Sequence, residues 1–99
     1  TKVRNSAPAY YSETSKVENS LIADGCVIEG TVENSILFRG VRVGKNAVVK
    51  NAILFQDTQT GRGVNLNCVI TDKSVFIRDG VTLSGHPSIP FCIEKEKVL

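Results

Sequence analysis

A repeat of seventeen residues dominates the pattern of apolar and polar positions along the chain. Residues 32–37 (VENSIL) return as residues 49–54 (VKNAIL) and again as residues 66–71 (LNCVIT). An earlier copy at residues 17–22 (VENSLI) lies two residues closer. Self-similarity at a fixed period is typical of stacked repeat architectures. Each period therefore predicts one coil of a solenoid rather than one hairpin.

Within each period the apolar residues follow a six-residue rule, with some sides of the coil shortened. An aliphatic residue takes the first position, and a small or aliphatic residue takes the fifth. The first positions are Val17, Ile22, Ile28, Val32, Leu37, Val43, Val49, Leu54, Thr60, Leu66, Thr71, Ile77 and Leu83. The fifth positions, besides Val32 again, are Leu21, Cys26, Ile36, Val41, Ala47, Ile53, Thr58, Val64, Ile70, Val75 and Val81. The rule predicts that all of these side chains face the core.

The residue types favour strands over helices. Short β-branched runs broken by Gly and Asn suit strands of three to five residues, and the 3.6-residue stripe of a helix is absent. Types that tolerate positive φ recur at two sets of predicted corners, namely Asn19, Asn34 and Asn51, and Asn46, Gly63 and Gly80. The chain is therefore predicted to be all-β, a single-stranded parallel β-helix of about four coils over residues 17–84.

The two ends of the chain lack the repeat. Residues 1–16 contain Pro8, Tyr10 and Tyr11 without hexapeptide spacing, and they are interpreted as an N-terminal arm or linker from a missing upstream domain. Residues 85–99 are predicted to form a turn and a C-terminal strand that caps the last coil, because an uncovered strand edge invites aggregation.

Composition excludes several classes of protein. Twelve Lys and Arg are spread among ten Asp and Glu, without the basic block typical of nucleic-acid or lipid binding. No apolar run suits a signal peptide or a membrane span, so a cytoplasmic location is expected. The three cysteines, Cys26, Cys68 and Cys92, lie too far apart for a zinc motif. We expect them to be free thiols.

Three segments carry a resemblance to a known family. Residues 19–26 (NSLIADGC), 30–35 (GTVENS) and 39–44 (RGVRVG) resemble the C-terminal β-helix of bacterial glucose-1-phosphate adenylyltransferase. The arm at residues 8–11 (PAYY) and the tail, residues 85–95, look more like the GlgD-type companion subunit than the catalytic subunit. Hexapeptide-repeat proteins of this kind form left-handed coils, which the general preference for right-handed crossovers would not predict.

The resemblance implies a non-catalytic domain that regulates and assembles a larger enzyme. The family joins ATP and glucose 1-phosphate into ADP-glucose and pyrophosphate during glycogen biosynthesis, using Mg and ATP in an N-terminal catalytic domain. The chain has no glycine-rich phosphate loop of that kind, since residues 61–63 (GRG) form a repeat corner. No cofactor is expected here. The expected partners are the missing catalytic domain and further subunits of a homo- or hetero-oligomer.

Two groups of residues are candidate sites. A basic group is predicted to share one surface that binds an anionic effector such as a sugar phosphate or nucleotide, and it consists of Arg39, Arg42, Lys45 and Arg62. Lys73 is predicted to lie two coils above Arg39. An ordinary solvated surface is the alternative. Phe38 and Phe55 are predicted to occupy one outward column, as an interface with a partner or under a cover formed by Tyr10 and Tyr11.

Other functions remain open. A hexapeptide acyltransferase would need a histidine base, and His86 is the single histidine, in a turn between Gly85 and Pro87. A purely structural β-helix cap would bind no ligand at all. These two hypotheses and the regulatory-domain hypothesis differ in the ligand that the chain should bind.

Overall fold

The computed structural model describes residues 8–99, which form fifteen short β-strands joined by turns. In chain order the strands are β1 Tyr10–Tyr11, β2 Lys16–Glu18, β3 Leu21–Ile22, β4 Val27–Ile28, β5 Thr31–Glu33, β6 Ile36–Leu37, β7 Arg42–Val43, β8 Val48–Lys50, β9 Ile53–Leu54, β10 Gln59–Thr60, β11 Asn65–Asn67, β12 Val69–Thr71, β13 Phe76–Ile77, β14 Thr82–Ser84 and β15 Phe91–Ile93. Within residues 8–99 no helix is long and apolar enough to span a membrane.

Each strand pairs in parallel with the strand one coil away, which produces three five-stranded sheets. Sheet A has the order β1-β4-β7-β10-β13, sheet B the order β2-β5-β8-β11-β14, and sheet C the order β3-β6-β9-β12-β15. We number the levels from coil 1 (β1 to β3) to coil 5 (β13 to β15). Four complete turns separate β1 from β13, so the prediction of an all-β parallel β-helix of about four coils is confirmed.

The corner before sheet C is made by residues in the left-handed backbone region. Asn19, Asn34, Asn51 and Cys68 have φ values of 50°, 50°, 52° and 58°. Asn19 Nδ2 donates a hydrogen bond of 2.6 Å to Asn34 Oδ1 in the next coil. Asparagine suits this corner because its short side chain tolerates positive φ and bonds to its stacked neighbour. The predicted positive φ at Asn46, Gly63 and Gly80 is also confirmed.

Most of the predicted inward positions in the middle coils are buried. They are Cys26, Ile28, Val32, Leu37, Val41, Val43, Ala47, Val49, Leu54, Val64, Leu66, Val75 and Ile77, together with the three threonines Thr58, Thr60 and Thr71. The threonine hydroxyls are satisfied inside the core: Thr58 Oγ1 and Thr71 Oγ1 lie 2.9 Å apart, and Thr60 Oγ1 donates to the Arg42 carbonyl. A buried hydroxyl without such a partner would be destabilising.

Four of the predicted inward positions are wrong. Leu21, Ile36, Ile53 and Ile70 point outward, and the residues that precede them, Ser20, Ser35, Ala52 and Val69, point inward instead. On this side of the coil the repeat has five residues, so its fifth position directly precedes the next first position. Successive residues of a strand point to opposite faces, and therefore only one of the two can face the core.

The strands extend further toward the N-terminus than the sequence analysis placed them. Of the predicted arm, residues 1–7 lie outside the described residues, whereas Tyr10–Tyr11 pairs with Val27–Ile28 as the first strand of sheet A. The repeat was missed there because Tyr11, an aromatic residue, occupies an inward position where the rule expects an aliphatic one. Tyr11 sits at the open end of the coil and is 48% exposed. Whether an upstream domain precedes it stays a prediction.

The C-terminal segment adds strands to the last coil. Phe91–Ile93 pairs with Val69–Thr71 in sheet C, and Val98 forms a bridge with Phe76 of sheet A. Ile93 is buried and Leu99 packs against the core. The segment therefore covers apolar side chains and strand edges that coils 4 and 5 would otherwise expose.

Candidate functional site on the outer face of sheet C

The outer face of sheet C carries a continuous apolar column. Its members are in register, one in each coil: Leu21, Ile36, Ile53, Ile70 and Cys92. Leu21 is 68% exposed and Ile36 is 39% exposed. Their neighbours in the strands fill the core, so alternation leaves this second set of apolar side chains on the surface. A contiguous apolar strip of this kind marks a contact surface.

Two aromatic rings stand beside this column. Phe38 and Phe55 follow β6 and β9, and their ring centroids lie 4.7 Å apart with an interplanar angle of 20°. We call this pair the aromatic ridge. The prediction that the two share an outward column one coil apart is confirmed, and Phe38 is 41% exposed. Tyr10 and Tyr11 form β1 of sheet A, on another side of the coil, so the predicted tyrosine cover is not what the structure has.

Coil spacing explains the stacking of the ridge. Parallel strands lie about 4.8 Å apart, and a seventeen-residue period returns the chain to the same column, so Phe55 falls directly above Phe38. Beneath the ridge, Cys26 Sγ donates to the Phe38 carbonyl oxygen at 3.1 Å. Burial raises the pKa of the Cys26 thiol above its ordinary value. The backbone of the ridge is therefore hydrogen-bonded to a buried, neutral thiol.

A shallow cavity lies on each side of the ridge. The lower shelf, toward coil 1, has a volume of about 230 Å³ and is lined by Leu21, Ile22, Ala23, Ile36, Leu37 and Phe38. The upper shelf, toward coil 5, has a volume of about 300 Å³ and is lined by Phe55, Ile70, Thr71, Asp72, Cys92, Ile93 and Glu94. The shelves exist because smaller or polar residues replace phenylalanine in the same column.

The upper shelf differs from the lower one by carrying two carboxylates. Asp72 follows β12 and Glu94 follows β15, and the Asp72 amide donates to the Ile93 carbonyl at 2.9 Å. The two acidic residues are therefore stacked in adjacent coils. Asp72 Oδ1 accepts a hydrogen bond of 2.7 Å from the Lys73 amide. Sequence reasoning missed both residues because neither belongs to a chemical motif.

Comparison with known proteins identifies the family. The family model described as GlmU-like, C-terminal hexapeptide matches residues 6–88. The chain belongs to this hexapeptide-repeat family. It is 46% identical over 96% of its length to the glycogen biosynthesis protein GlgD of Bacillus subtilis, and 38% identical over 86% to a glucose-1-phosphate adenylyltransferase of Bacillus thuringiensis. It spans only 28% and 23% of these two relatives.

The family match also accounts for the form of the coil. The hexapeptide domain resembles the acetyltransferase domain of PglB from Neisseria gonorrhoeae, with a TM-score of 0.59 and 18% identity over 95% of this chain and 50% of that one. At this identity the likeness shows the fold alone.

The four basic residues of the predicted effector surface are placed along the sheet A side of the domain. Arg42 lies on β7, Arg39 in the turn before this strand and Lys45 in the turn after it, and all three are exposed. Arg62 lies one coil above Lys45, because the Gly63 amide donates to the Lys45 carbonyl. These residues line neither shelf. Their binding role stays a prediction.

The remaining candidates contribute little chemistry. His86 Nδ1 lies 2.8 Å from Ser88 Oγ inside an exposed turn, and a backbone bridge to Ile89 closes that turn. Cys26, Cys68 and Cys92 are free thiols, as expected, and only Cys92 is exposed. Within residues 8–99 no three His, Cys, Asp or Glu side chains form a group suited to a metal ion. The outer face of sheet C is therefore the strongest candidate site.

Proposed function

We propose that the chain is the regulatory and assembly domain of a glucose-1-phosphate adenylyltransferase subunit of the GlgD type, acting in cytoplasmic glycogen biosynthesis. The observation that carries this proposal is the identity with GlgD over 96% of the chain. Because the chain spans about a quarter of that relative, the nucleotide chemistry, with its Mg and ATP, belongs to the rest of the protein. The domain itself is non-catalytic.

The outer face of sheet C is the surface through which the domain docks on its partner. Five strands about 4.8 Å apart give a face roughly 20 Å high, and its two outward columns make it roughly 10 Å wide. Such an area is far below the ~800 Å² that each partner contributes to a standard interface. A covalently linked partner needs less area, because its effective concentration reaches the millimolar range. The occupant is therefore the rest of the same polypeptide.

Calorimetric unfolding of the full-length protein tests this docking. The double variant Phe38→Ser, Phe55→Ser is expected to split one cooperative transition into two, because the β-helix no longer shares an interface with the catalytic domain. The matched control, Tyr10→Ser with Phe76→Ser, removes two exposed rings from sheet A and should leave a single transition. An unchanged transition in the first variant, or an equal split in the control, would contradict the proposal.

The basic surface is the second part of the proposed function. Arg39, Arg42, Lys45 and Arg62 present guanidinium and ammonium groups that form charge-assisted bonds with a phosphate. Calorimetric titration with fructose 1,6-bisphosphate, AMP and phosphate should give saturable binding that Arg39→Ala or Arg42→Ala abolishes. Lys50→Ala, on sheet B, is the control. No binding at millimolar ligand would leave the domain as a structural scaffold, and acetyl transfer from acetyl-CoA that depends on His86 would favour an acyltransferase.

A further inference from the structure

The two shelves beside the aromatic ridge differ in chemistry, although they belong to the same face. The lower shelf is bounded by aliphatic side chains, Ala23 and the Phe38 ring. The upper shelf has an apolar wall of Phe55 and Ile70 and a rim that carries Asp72 and Glu94. A partner that covers the whole face must therefore satisfy two different environments.

The carboxylates on the upper shelf make an apolar cover unfavourable. Asp72 and Glu94 lie one coil apart, about 4.8 Å in backbone spacing, and like charges directly opposite in neighbouring strands destabilise each other. Covering them with apolar surface would also remove them from water, which is unfavourable for an unpaired charge. A positively charged group relieves both effects, and Phe55 offers such a cation a ring face.

We propose that the partner straddles the aromatic ridge with an apolar side chain on the lower shelf and an arginine or lysine side chain on the upper shelf. This inference rests on the proposed function, since it names the chemistry of the segment that docks on sheet C. Three coil spacings separate the two shelves, so the two partner side chains lie roughly 14 Å apart along the coil axis. Because the two shelves differ in chemistry, the partner segment binds in one orientation along the coil axis.

The basic side chain suits the shape of the upper shelf as well as its charge. The volume of about 300 Å³ accommodates an aliphatic stem against Ile70 and Phe55, with the charged head at the rim. Lys and Arg side chains characteristically bury their stems and keep the head near polar groups. Because Asp72 Oδ1 already accepts the Lys73 amide, its second carboxylate oxygen and Glu94 are the acceptors for the incoming cation.

Cys92 provides the measurement, because its exposed thiol lines the upper shelf. The rate at which iodoacetamide alkylates Cys92 is measured in the full-length protein by mass spectrometry of its peptide. For each variant, the alkylation rate of Cys92 in the 99-residue chain with the same substitution gives the uncovered reference rate. The ratio of the two rates corrects for changes in the thiol's own reactivity. Without any substitution, we expect Cys92 to be alkylated at least tenfold more slowly in the full-length protein than in the 99-residue chain.

The variant Asp72→Asn, Glu94→Gln tests the charged contact. We expect its Cys92 protection to fall by at least tenfold, the effect of losing one charge-assisted hydrogen bond in a covered site. The matched control, Glu18→Gln with Glu33→Gln, removes another pair of carboxylates stacked in adjacent coils, but on sheet B, and should keep full protection. Salt should lower protection in the unmutated protein and not in the test variant.

The outcomes separate this inference from the proposed function. If Phe38→Ser, Phe55→Ser deprotects Cys92 whereas Asp72→Asn, Glu94→Gln does not, the face docks a partner but the basic contact is wrong. If Cys92 is alkylated equally fast in the full-length protein and the 99-residue chain, the upper shelf is uncovered and the inference fails. Equal deprotection by the Glu18 and Glu33 control would also overturn it, because charge removal would then act without regard to position.

Discussion

Gly30 should be difficult to replace, for a reason that the sequence conceals. Coil 2 has two residues between β4 and β5, whereas coil 3 has four between β7 and β8. The longer turn of coil 3 lies against Gly30. A Cβ at this position would contact the Ala47 carbonyl oxygen and would lie 2.7 Å from the Gly44 oxygen and 2.9 Å from the Ala47 nitrogen. All three atoms belong to the backbone.

The substitution Gly30→Ala therefore forces a turn of coil 3 to move. The Ala47 carbonyl accepts a 2.8 Å hydrogen bond from the Thr31 amide, and this bond weakens when the turn is displaced. Overpacking costs about 1–3 kcal/mol, and weakening a buried backbone bond costs about 1 kcal/mol more. Reduced entropy of the unfolded chain offsets about 0.4–1 kcal/mol. The net expectation is a loss of about 1–3.5 kcal/mol.

Urea unfolding of the 99-residue chain, followed by circular dichroism, measures this loss directly. In thermal unfolding this loss corresponds to a Tm lower by roughly 5–25 °C for a domain of this size. Gly63→Ala is the control, because Gly63 has a φ of +67° but no atom within 4 Å of a new Cβ. Its expected loss is the roughly 1–2 kcal/mol of left-handed backbone strain less the same entropy offset, which leaves about 0–1.5 kcal/mol. A Gly30→Ala protein within 0.5 kcal/mol of the unmutated one would refute the proposed closeness of coils 2 and 3.

Three further predictions concern the core, the corner and pH. Thr71→Val removes the 2.9 Å bond between the two threonine hydroxyls, whereas Thr58 Oγ1 still donates to the Asp72 carbonyl, so the variant should destabilise by about 0.5–1.5 kcal/mol in urea unfolding. The double variant Thr58→Val, Thr71→Val should recover part of that loss. Asn34→Ala should cost about 1–2 kcal/mol through left-handed strain, and Asn34→Gly should cost less; equal losses would mean that the side-chain bond dominates. The raised pKa of Cys26 means that the unfolded chain releases this proton first, so stability should fall as the pH rises above about 9. Cys26→Ala should flatten that fall, and an equally steep pH profile in the variant would contradict the assignment.

The sequence by itself determined the architecture of the domain. The seventeen-residue period equals one coil, so residues 17 apart fall into one column, and the stacking of Phe55 on Phe38 follows from that number alone. The positive φ of Asn34 and Asn51 follows from residue type at a recurring corner. These features are predictable because they depend only on chain geometry and local conformational preference.

The tertiary structure decided which faces of the coil became functional. Ile36 and Ile53 were predicted to be buried, and only the strand register shows that they form an exposed apolar column beside the aromatic ridge. Asp72 and Glu94 are separated by twenty-two positions rather than seventeen, and the connection through residues 85–90 brings them into one column. Such a long excursion obeys no period. The upper shelf therefore depends on where the chain re-enters the sheet, and this re-entry is set by the pairing of β15 with β12.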